Sequence, residues 1–384
     1  MPPLIRGHFC FYYYLNTMIN TNTGQRLLSL DFMRGLIMVL LMLESARLYD
    51  NLFEITEGSF LNGFFLQFFH HPWNGLRFWD LIQPGFMFIA GTAMAFSLHK
   101  QWEKGVSWNH SFVKALKRSG WLFFWGVLDY AVRPGGLSFE LWDVLTQLSV
   151  TTLVAFLIFR WSSTAQIIFS VGLLILTEVL YRFTNIPGFD QAFTDQHNFG
   201  NYMDLILMNK INGGGWVAIN CIPTAAHTIW GALAGKLLLS NGEASVKIRK
   251  LLLFGVICLV TGYAMDWTIT PIIKRIATSS FTLASGGWCL LGLTACYWLI
   301  DVKNNWKFVP FFAVVGMNSV FIYLFFEIAG ARWFHKYIAA ISNGLMGFIN
   351  TPEALMTVIT SLVIFGLEWG LCYFLYKKKV FFKL

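Results

Sequence analysis

Apolar runs of about 20 residues recur from residue 28 to residue 376, and this pattern leaves the chain few folds to choose from. A run of that length crosses ~30 Å of hydrocarbon as an α-helix. Inside lipid only a helix or a closed barrel satisfies the backbone's own polar groups. The runs lie at 28–48, 77–98, 115–133, 140–159, 165–182, 215–238, 250–269, 277–300, 308–328 and 355–376. They predict an all-α, polytopic transmembrane helical bundle of about ten spanning helices. Charged residues are only 12% of the chain, against roughly a quarter in a soluble domain. A further stretch, 333–349, is interrupted by Ser342, Asn343 and Gly344 and reads as a re-entrant or interfacial helix or an eleventh span.

Loop charges set the expected orientation. Arg26, Lys100, Lys104, Lys114, Lys117, Arg118, Arg160, Lys236, Lys247, Arg249, Lys250, Lys303, Lys307 and Lys377 to Lys379 fall on one side, which the positive-inside rule makes cytoplasmic. Asp50, Glu54, Glu57, Glu140, Asp143, Asp190, Asp195 and Asp204 fall on the other. Ten spans with both termini cytoplasmic fit this alternation, whereas an eleventh would carry the Lys377–Lys379 tail outside. The net charge of +8 follows from these loops and does not indicate nucleic acid. Residues 1–25 read as an N-terminal lead, with Met18 as an alternative start to Met1; 26–384 then form a single transmembrane domain. Cys10, Cys221, Cys258, Cys289, Cys296 and Cys372 form no C-x-x-C pair, and five lie in apolar runs, so no disulfide framework or metal site is expected.

Chemistry-bearing residues stand out against this background, because ionisable groups are costly near hydrocarbon. His70-His71-Pro72-Trp73-Asn74-Gly75-Leu76 and then Asp80 place two imidazoles and a carboxylate at the mouth of the second span, on the outer side. Either imidazole is a candidate base or nucleophile, and Asp80 a candidate to orient it. Asp31 and Arg34 share a helix face near the cytoplasmic end of the first span, either pairing or presenting Arg34 to a phosphate. Glu44 lies deeper in that helix, facing a cavity or a partner. Lys274 and Arg275 break the charge rule in an outer loop, where they bind an anion or pair with Asp266. His227, after Pro223, reads as a buried hydrogen-bonded histidine. Glu178, Glu327 and Glu368 are single intramembrane acids, which also suit a proton-coupled transporter.

In these blocks the sequence resembles the heparan-α-glucosaminide N-acetyltransferase family, including bacterial members of unassigned substrate. The blocks are Leu30-Asp31-Phe32-Met33-Arg34-Gly35, the His70–Leu76 stretch with Asp80-Leu81-Ile82-Gln83-Pro84, and Phe86-Met87-Phe88-Ile89-Ala90-Gly91. Pro271-Ile272-Ile273-Lys274 with Thr278-Ser279-Ser280-Phe281, Tyr297-Trp298-Leu299-Ile300-Asp301 and Gly316-Met317-Asn318-Ser319 follow in order. The set spans about residues 26 to 330.

The resemblance implies transfer of acetyl from cytosolic acetyl-CoA across the membrane to a glucosamine amine. It implies a catalytic His in the first non-cytoplasmic loop, in a pattern His-x-x-Trp with Asp ten residues on, which selects His70, with His71 as the spare. Animal members carry a luminal domain ahead of these blocks, and an Asn where Ser45 stands here; both differences bear on the acceptor more than on the reaction.

The expected site is therefore His70, Asp80 and His71 for catalysis; Arg34, Asp31, Lys274 and Asn318 for acetyl-CoA; and Trp73, Asn74 and Glu44 for the acceptor. Acetyl-CoA is a co-substrate and no metal is expected. The expected partners are acetyl-CoA, an amino sugar or glycan, the lipid bilayer and, compatibly, a second copy as a homodimer. The expected location is a bacterial cytoplasmic (inner) membrane, multi-pass. O-acetylation of an envelope polysaccharide and proton-coupled transport of a sugar or metabolite are the competing readings.

Overall fold

The computed structural model describes residues 27–133 and 137–382. The N-terminal lead with Met18 and Cys10 lies outside the described residues. Among the described residues every regular element is a helix, joined by loops, and one isolated antiparallel bridge links Asn74 and Ile273. The helices are α1 (Leu28–Ser45), α2 (Leu48–Ile55), α3 (Phe60–Phe65), α4 (Ile82–Glu103), α5 (Trp108–Ala131), α6 (Val144–Leu157), α7 (Ser163–Phe183) and α8 (Phe199–Met208). There follow α9 (Cys221–Leu239), α10 (Ala244–Thr268), α11 (Ser279–Cys296), α12 (Val309–Gly316), α13 (Ser319–Leu324), α14 (His335–Gly347) and α15 (Glu353–Lys377).

A helix occurs at each of the ten expected positions, but fewer are built to cross a membrane unaided. Among the described residues five are long and apolar enough: Phe78–Glu103, Ser163–Phe183, Ala244–Thr268, Ser279–Val302 and Glu353–Lys377. A sixth arises if Val309–Gly316 and Ser319–Gly347, bent by 71°, count as one span. The others fall short for visible reasons. Helix α1 carries Asp31, Arg34 and Glu44; α5 opens on Lys114, Lys117 and Arg118; α6 has only 14 residues; α9 holds Thr224, His227, Thr228 and Lys236. Thr224, His227 and Thr228 are buried, and Arg34 and Glu44 line cavities, so partners or hydration replace lipid there; Lys114 and Lys117 are exposed on α5.

Small residues let the central helices meet backbone to backbone. A Cβ on Gly91 of α4 would lie 1.9 Å from the Thr228 carbonyl oxygen of α9, and one on Gly231 1.9 Å from the Phe88 carbonyl oxygen. Farther along, a Cβ on Gly235 would meet Ala95 and Thr92, so from Phe88–Gly231 to Ala95–Gly235 the contacts advance together and α4 and α9 run parallel. Gly35 meets α12 in the same way, at the Phe312 carbonyl. The start of α1 is capped from across the bundle, its Leu28 and Ser29 amides donating to the two oxygens of Asp301 at 3.0 and 3.1 Å. That supplies acceptors for two of the orphan donors at a helix N-terminus.

The break expected at Ser342, Asn343 and Gly344 lies elsewhere. Those residues sit within α14, and Thr360 of α15 bonds Ser342 Oγ at 3.1 Å and Asn343 Oδ1 at 2.8 Å. A cross-helix partner absorbs the polar groups, so the helix continues. The bend falls instead at Met317 and Asn318, between α12 and α13.

Candidate active site

The loop 70–76 is fixed by backbone before any side chain acts. Asn74 bridges to Ile273, and the Gly75 amide donates to the Ile272 carbonyl at 2.8 Å. This pairing carries Lys274, some 200 residues away in sequence, to His70. Gly75 has φ +143°, and a Cβ there would lie 2.6 Å from His71 Nε2, so glycine is needed both for the turn and for the ring beside it.

Asp80 is fully buried and organises the cluster. Its Oδ1 accepts from His70 Nδ1 at 3.0 Å and lies 3.7 Å from Lys274 Nζ. Its Oδ2 accepts the Arg77 amide at 2.9 Å and the His71 amide at 3.2 Å. Arg77 in turn donates to the His70 carbonyl at 3.0 Å. Nδ1 lies 3.0 Å from both Asp80 Oδ1, which only accepts, and Lys274 Nζ, which as an ammonium only donates; we assign the imidazole proton to Nδ1, toward Asp80, and direct the Lys274 ammonium to Asp80 Oδ1. Nε2 is then the ring nitrogen carrying a lone pair. Burial, then the Lys274 ammonium 3.0 Å from Nδ1, pushes the His70 imidazole down to about 4, with Asp80 pulling the other way. Burial likewise pulls Lys274 down to about 8 against Asp80 and Glu44. His70 is therefore neutral at pH 7.

His70 opens onto a cavity of about 260 Å³. Glu44, Tyr130, Arg133, Trp142, Trp216 and Glu327 are prominent in its wall. Trp216 stands edge-on to His70, 5.6 Å between centroids, and 5.2 Å from Lys274 Nζ. Glu44 accepts from Trp79 Nε1 at 2.8 Å, and Glu327 lies 3.8 Å from Arg133. Asp204 of α8 braces this wall by accepting from Trp142 Nε1 and the Ala218 amide, both at 2.9 Å.

A second cavity, of about 340 Å³, lies beside the first along the same helices and has Arg34 and Arg118 in its wall. No carboxylate lines it, and neither arginine makes an ion pair among the described residues. Phe86, Val144 and Tyr323 line both cavities. Five helices contribute to each in register: α1 offers Arg34 and Met38 to one and Leu41 and Glu44 to the other, and α13 with its continuation offers Ser319 to one and Glu327 to the other. The Arg34-to-Glu44 separation on α1 is about 15 Å of helix. A route thus runs through the bundle from a pair of guanidinium groups to His70, interrupted by one layer of side chains.

The expected site residues divide. His70, Lys274 and Glu44 line the His70 cavity with Asp80 directly behind, and Arg34 lines the other. His71 does not line the cavity; its Nδ1 is buried without a partner. Asp31 lies a turn before Arg34 on α1 and does not line the arginine cavity. Asn318 is buried, its amide holding the Val380 carbonyl at 3.1 Å and the Phe382 amide at 2.9 Å. Trp73 donates to the Phe193 carbonyl at 2.8 Å and packs among Tyr181, Phe199, Val217 and Ile273, while Asn74 is exposed beside its bridge. Asp266, offered above as a partner for Lys274, instead accepts the Ile272 amide at 2.7 Å, because the bridge turns Lys274 toward Asp80.

Sequence reasoning missed Arg118, Tyr323 and Trp216. Arg118 was hidden in a basic run that also serves orientation, and Tyr323 in an apolar one. Trp216 directly follows Gly213-Gly214-Gly215, and that glycine run was the available signal.

No family model matches the chain. It is similar to the curated heparan-alpha-glucosaminide N-acetyltransferase of mouse (Mus musculus), 24% identical over an alignment 430 positions long that covers 94% of this chain and 61% of the relative. It is similar also to the human (Homo sapiens) protein of that name, 23% identical over an alignment 433 positions long, with 94% and 60% covered. These likenesses support a distant family relationship. The chain spans about three fifths of the length of these relatives.

Proposed function

We propose that this distant relative of the heparan-α-glucosaminide N-acetyltransferases is a transmembrane acetyltransferase that carries acetyl from cytosolic acetyl-CoA to an amine on the far side of the membrane. The observation that carries the reading is the pairing of His70, neutral and oriented by Asp80, with an arginine-lined cavity one side-chain layer away.

The nucleotide phosphates of acetyl-CoA meet Arg34 and Arg118 at the cytoplasmic end, since guanidinium suits phosphate and the charged nucleotide cannot enter lipid. The pantetheine arm passes Phe86, Val144 and Tyr323. His70 Nε2 attacks the thioester carbonyl, the C–S bond breaks, and CoA leaves as the thiolate. Asp80 stabilises the acetyl-imidazolium through Nδ1–H, as a carboxylate orienter does in nucleophile–base sets. Once a cavity carboxylate has taken the extra proton of its ammonium, the acceptor attacks as the free amine; the bond to Nε2 breaks, and the proton shed on attack balances the thiolate.

An amino sugar is the favoured acceptor. Trp142, Trp216 and Tyr130 offer ring faces and edges to a pyranose, and Glu44 and Glu327 offer carboxylates to an ammonium. A hydroxyl acceptor can hydrogen-bond those acids but gains no charge pairing from them, which favours the amine. The transporter reading loses two of its three coupling acids to local pairs. Glu178 binds Arg182 at 2.8 Å, and Glu368 binds His335 at 2.8 Å. A periplasmic acceptor at a bacterial inner membrane is part of the proposal.

The test is sided. Protein is reconstituted in liposomes with radiolabelled acetyl-CoA on one face and glucosamine or N-acetylglucosamine on the other. The reading expects N-acetylglucosamine to form from glucosamine across the membrane with stoichiometric CoA release, and no product from N-acetylglucosamine. Flux of glucosamine without acetyl-CoA would replace the reading with transport.

A further inference from the structure

A third pocket, away from the His70–Arg34 route, lies where α4, the turn after α6 and α9 end together. It has a volume of about 300 Å³ and is lined by Trp102, Phe159, Arg160 and Lys236. Both cations lack a carboxylate. Neither makes an ion pair among the described residues, and their contacts are aromatic or backbone. Lys236 Nζ donates to the Phe159 carbonyl at 2.5 Å and sits 4.1 Å from the Phe159 ring centroid. Arg160 lies 4.8 Å from the Trp108 ring centroid. Trp102 Nε1 is buried with no hydrogen-bond partner. The Trp102 N–H is a buried donor left unmet, which is costly, and beside it stand two cations with no carboxylate partner, Lys236 hydrogen-bonded only to a backbone carbonyl.

The aromatic floor makes the donors rigid. Trp108 stacks on Phe156 at 4.4 Å, Trp102 meets Phe159 edge-on at 5.7 Å, and Trp102 and Trp108 are 6.2 Å apart. Flanking Phe159 and Arg160 in the chain, Leu157 and Trp161 are exposed apolar residues. A small anion alone would satisfy the donors and leave that apolar rim bare, whereas a group carrying acyl chains covers both.

We propose that this pocket binds a phosphate group, that of an anionic phospholipid headgroup, with Lys236 and Arg160 contacting its oxygens, Trp102 Nε1 donating to one of them, and the acyl chains lying over Leu157 and Trp161. The site is distinct from the one used in acetyl transfer and does not depend on it. A lipid held here ties the ends of α4, α6 and α9 together and couples stability to the anionic content of the membrane, as juxtamembrane basic clusters do less specifically.

The test uses the full chain in nanodiscs of phosphatidylcholine, with and without phosphatidylglycerol, and follows Tm together with the lipids retained in native mass spectrometry. The wild type is expected to gain Tm and retain phosphatidylglycerol, and Lys236→Gln with Arg160→Gln to lose both while melting like wild type in phosphatidylcholine alone. If that double variant does not fold, Trp102→Phe keeps the ring and removes only the N–H. It is expected to weaken phosphatidylglycerol retention about tenfold, the scale of a hydrogen bond to a charged group. Phosphatidylglycerol shifts of equal size in wild type and variants, or none in the wild type, would overturn the site. A shift that needs Lys236 and Arg160 but is produced by inorganic phosphate or CoA without the lipid would overturn the lipid as its source.

Discussion

The Tyr323 hydroxyl donates to Asp143 Oδ2 at 2.9 Å, holding a ring that lines both the arginine cavity and the His70 cavity. Asp143 is itself fixed as the cap of α6, its Oδ1 accepting the Leu145 amide at 2.7 Å. Tyr323, with Phe86 and Val144, forms the layer between the cavities, and its ring is latched to the start of a helix.

Truncating the latch should join the cavities. In a cysteine-free background, Ser319→Cys places a thiol in the arginine cavity. With Tyr323 present it is expected to react with a membrane-impermeant maleimide from one side of the membrane only. With Tyr323→Ala it should react from both. Labelling from both sides in the presence of Tyr323 would show that the layer is no barrier.

The pH dependence of turnover should report the depressed His70. The neutral, active form persists until about 4, so the acid limb is expected near 4 rather than at the ordinary value of about 6.5. Lys274→Met removes a cation that lowers His70, so the limb should move up, though not to the ordinary value, since burial, the larger cause, remains. Stability follows the same sign. The unfolded chain binds the His70 proton at higher pH than the folded one, so His70's contribution is lost as pH falls from about 6.5 through about 4. A limb unmoved by Lys274→Met would remove Lys274 from the electrostatics of the site.

Arg34→Gln and Arg118→Gln should each weaken acetyl-CoA binding by about 10- to 100-fold, the scale of a charge-assisted hydrogen bond. The KM for the acceptor should stay close to wild type, because the acceptor enters the other cavity. Isothermal titration with CoA separates this from a loss of chemistry, and two silent variants would detach the arginine cavity from the donor.

The packing of α4 on α9 gives a stability test without chemistry. Gly91→Ala places a methyl 1.9 Å from the Thr228 carbonyl oxygen and must part the helices. Overpacking of this kind costs about 1–3 kcal/mol or more, so a clear fall in Tm in detergent is expected. Gly120→Ala, whose Cβ meets nothing within 4 Å, is the control.

Much of the fold was legible because hydrocarbon imposes a length on apolar runs, and helices stand where those runs predict them. Among the described residues five of those helices, or six with the bent pair, have the length and apolarity to cross a membrane. Polar residues such as Arg34 and His227 read as interruptions of lipid-facing segments, whereas they face a hydrated or hydrogen-bonded interior. At the site, His70 and Asp80 were legible because ten residues of local sequence bring them together. Lys274 beside them was flagged only as an anomalous charge, because its approach depends on the bridge from Asn74 to Ile273. Tyr323 was invisible, since nothing in an apolar run marks the one ring that borders two cavities.

The central claim is that His70 performs the transfer. Purified protein is given radiolabelled acetyl-CoA and glucosamine, and CoA release and N-acetylglucosamine formation are followed for wild type, His70→Ala and His71→Ala. Removing the catalytic imidazole should cost on the order of 10²–10⁴-fold, so His70→Ala is expected to lose both signals while His71→Ala, whose ring is outside the cavity wall, keeps most of each. Turnover retained by His70→Ala, or abolished only by His71→Ala, would contradict the account.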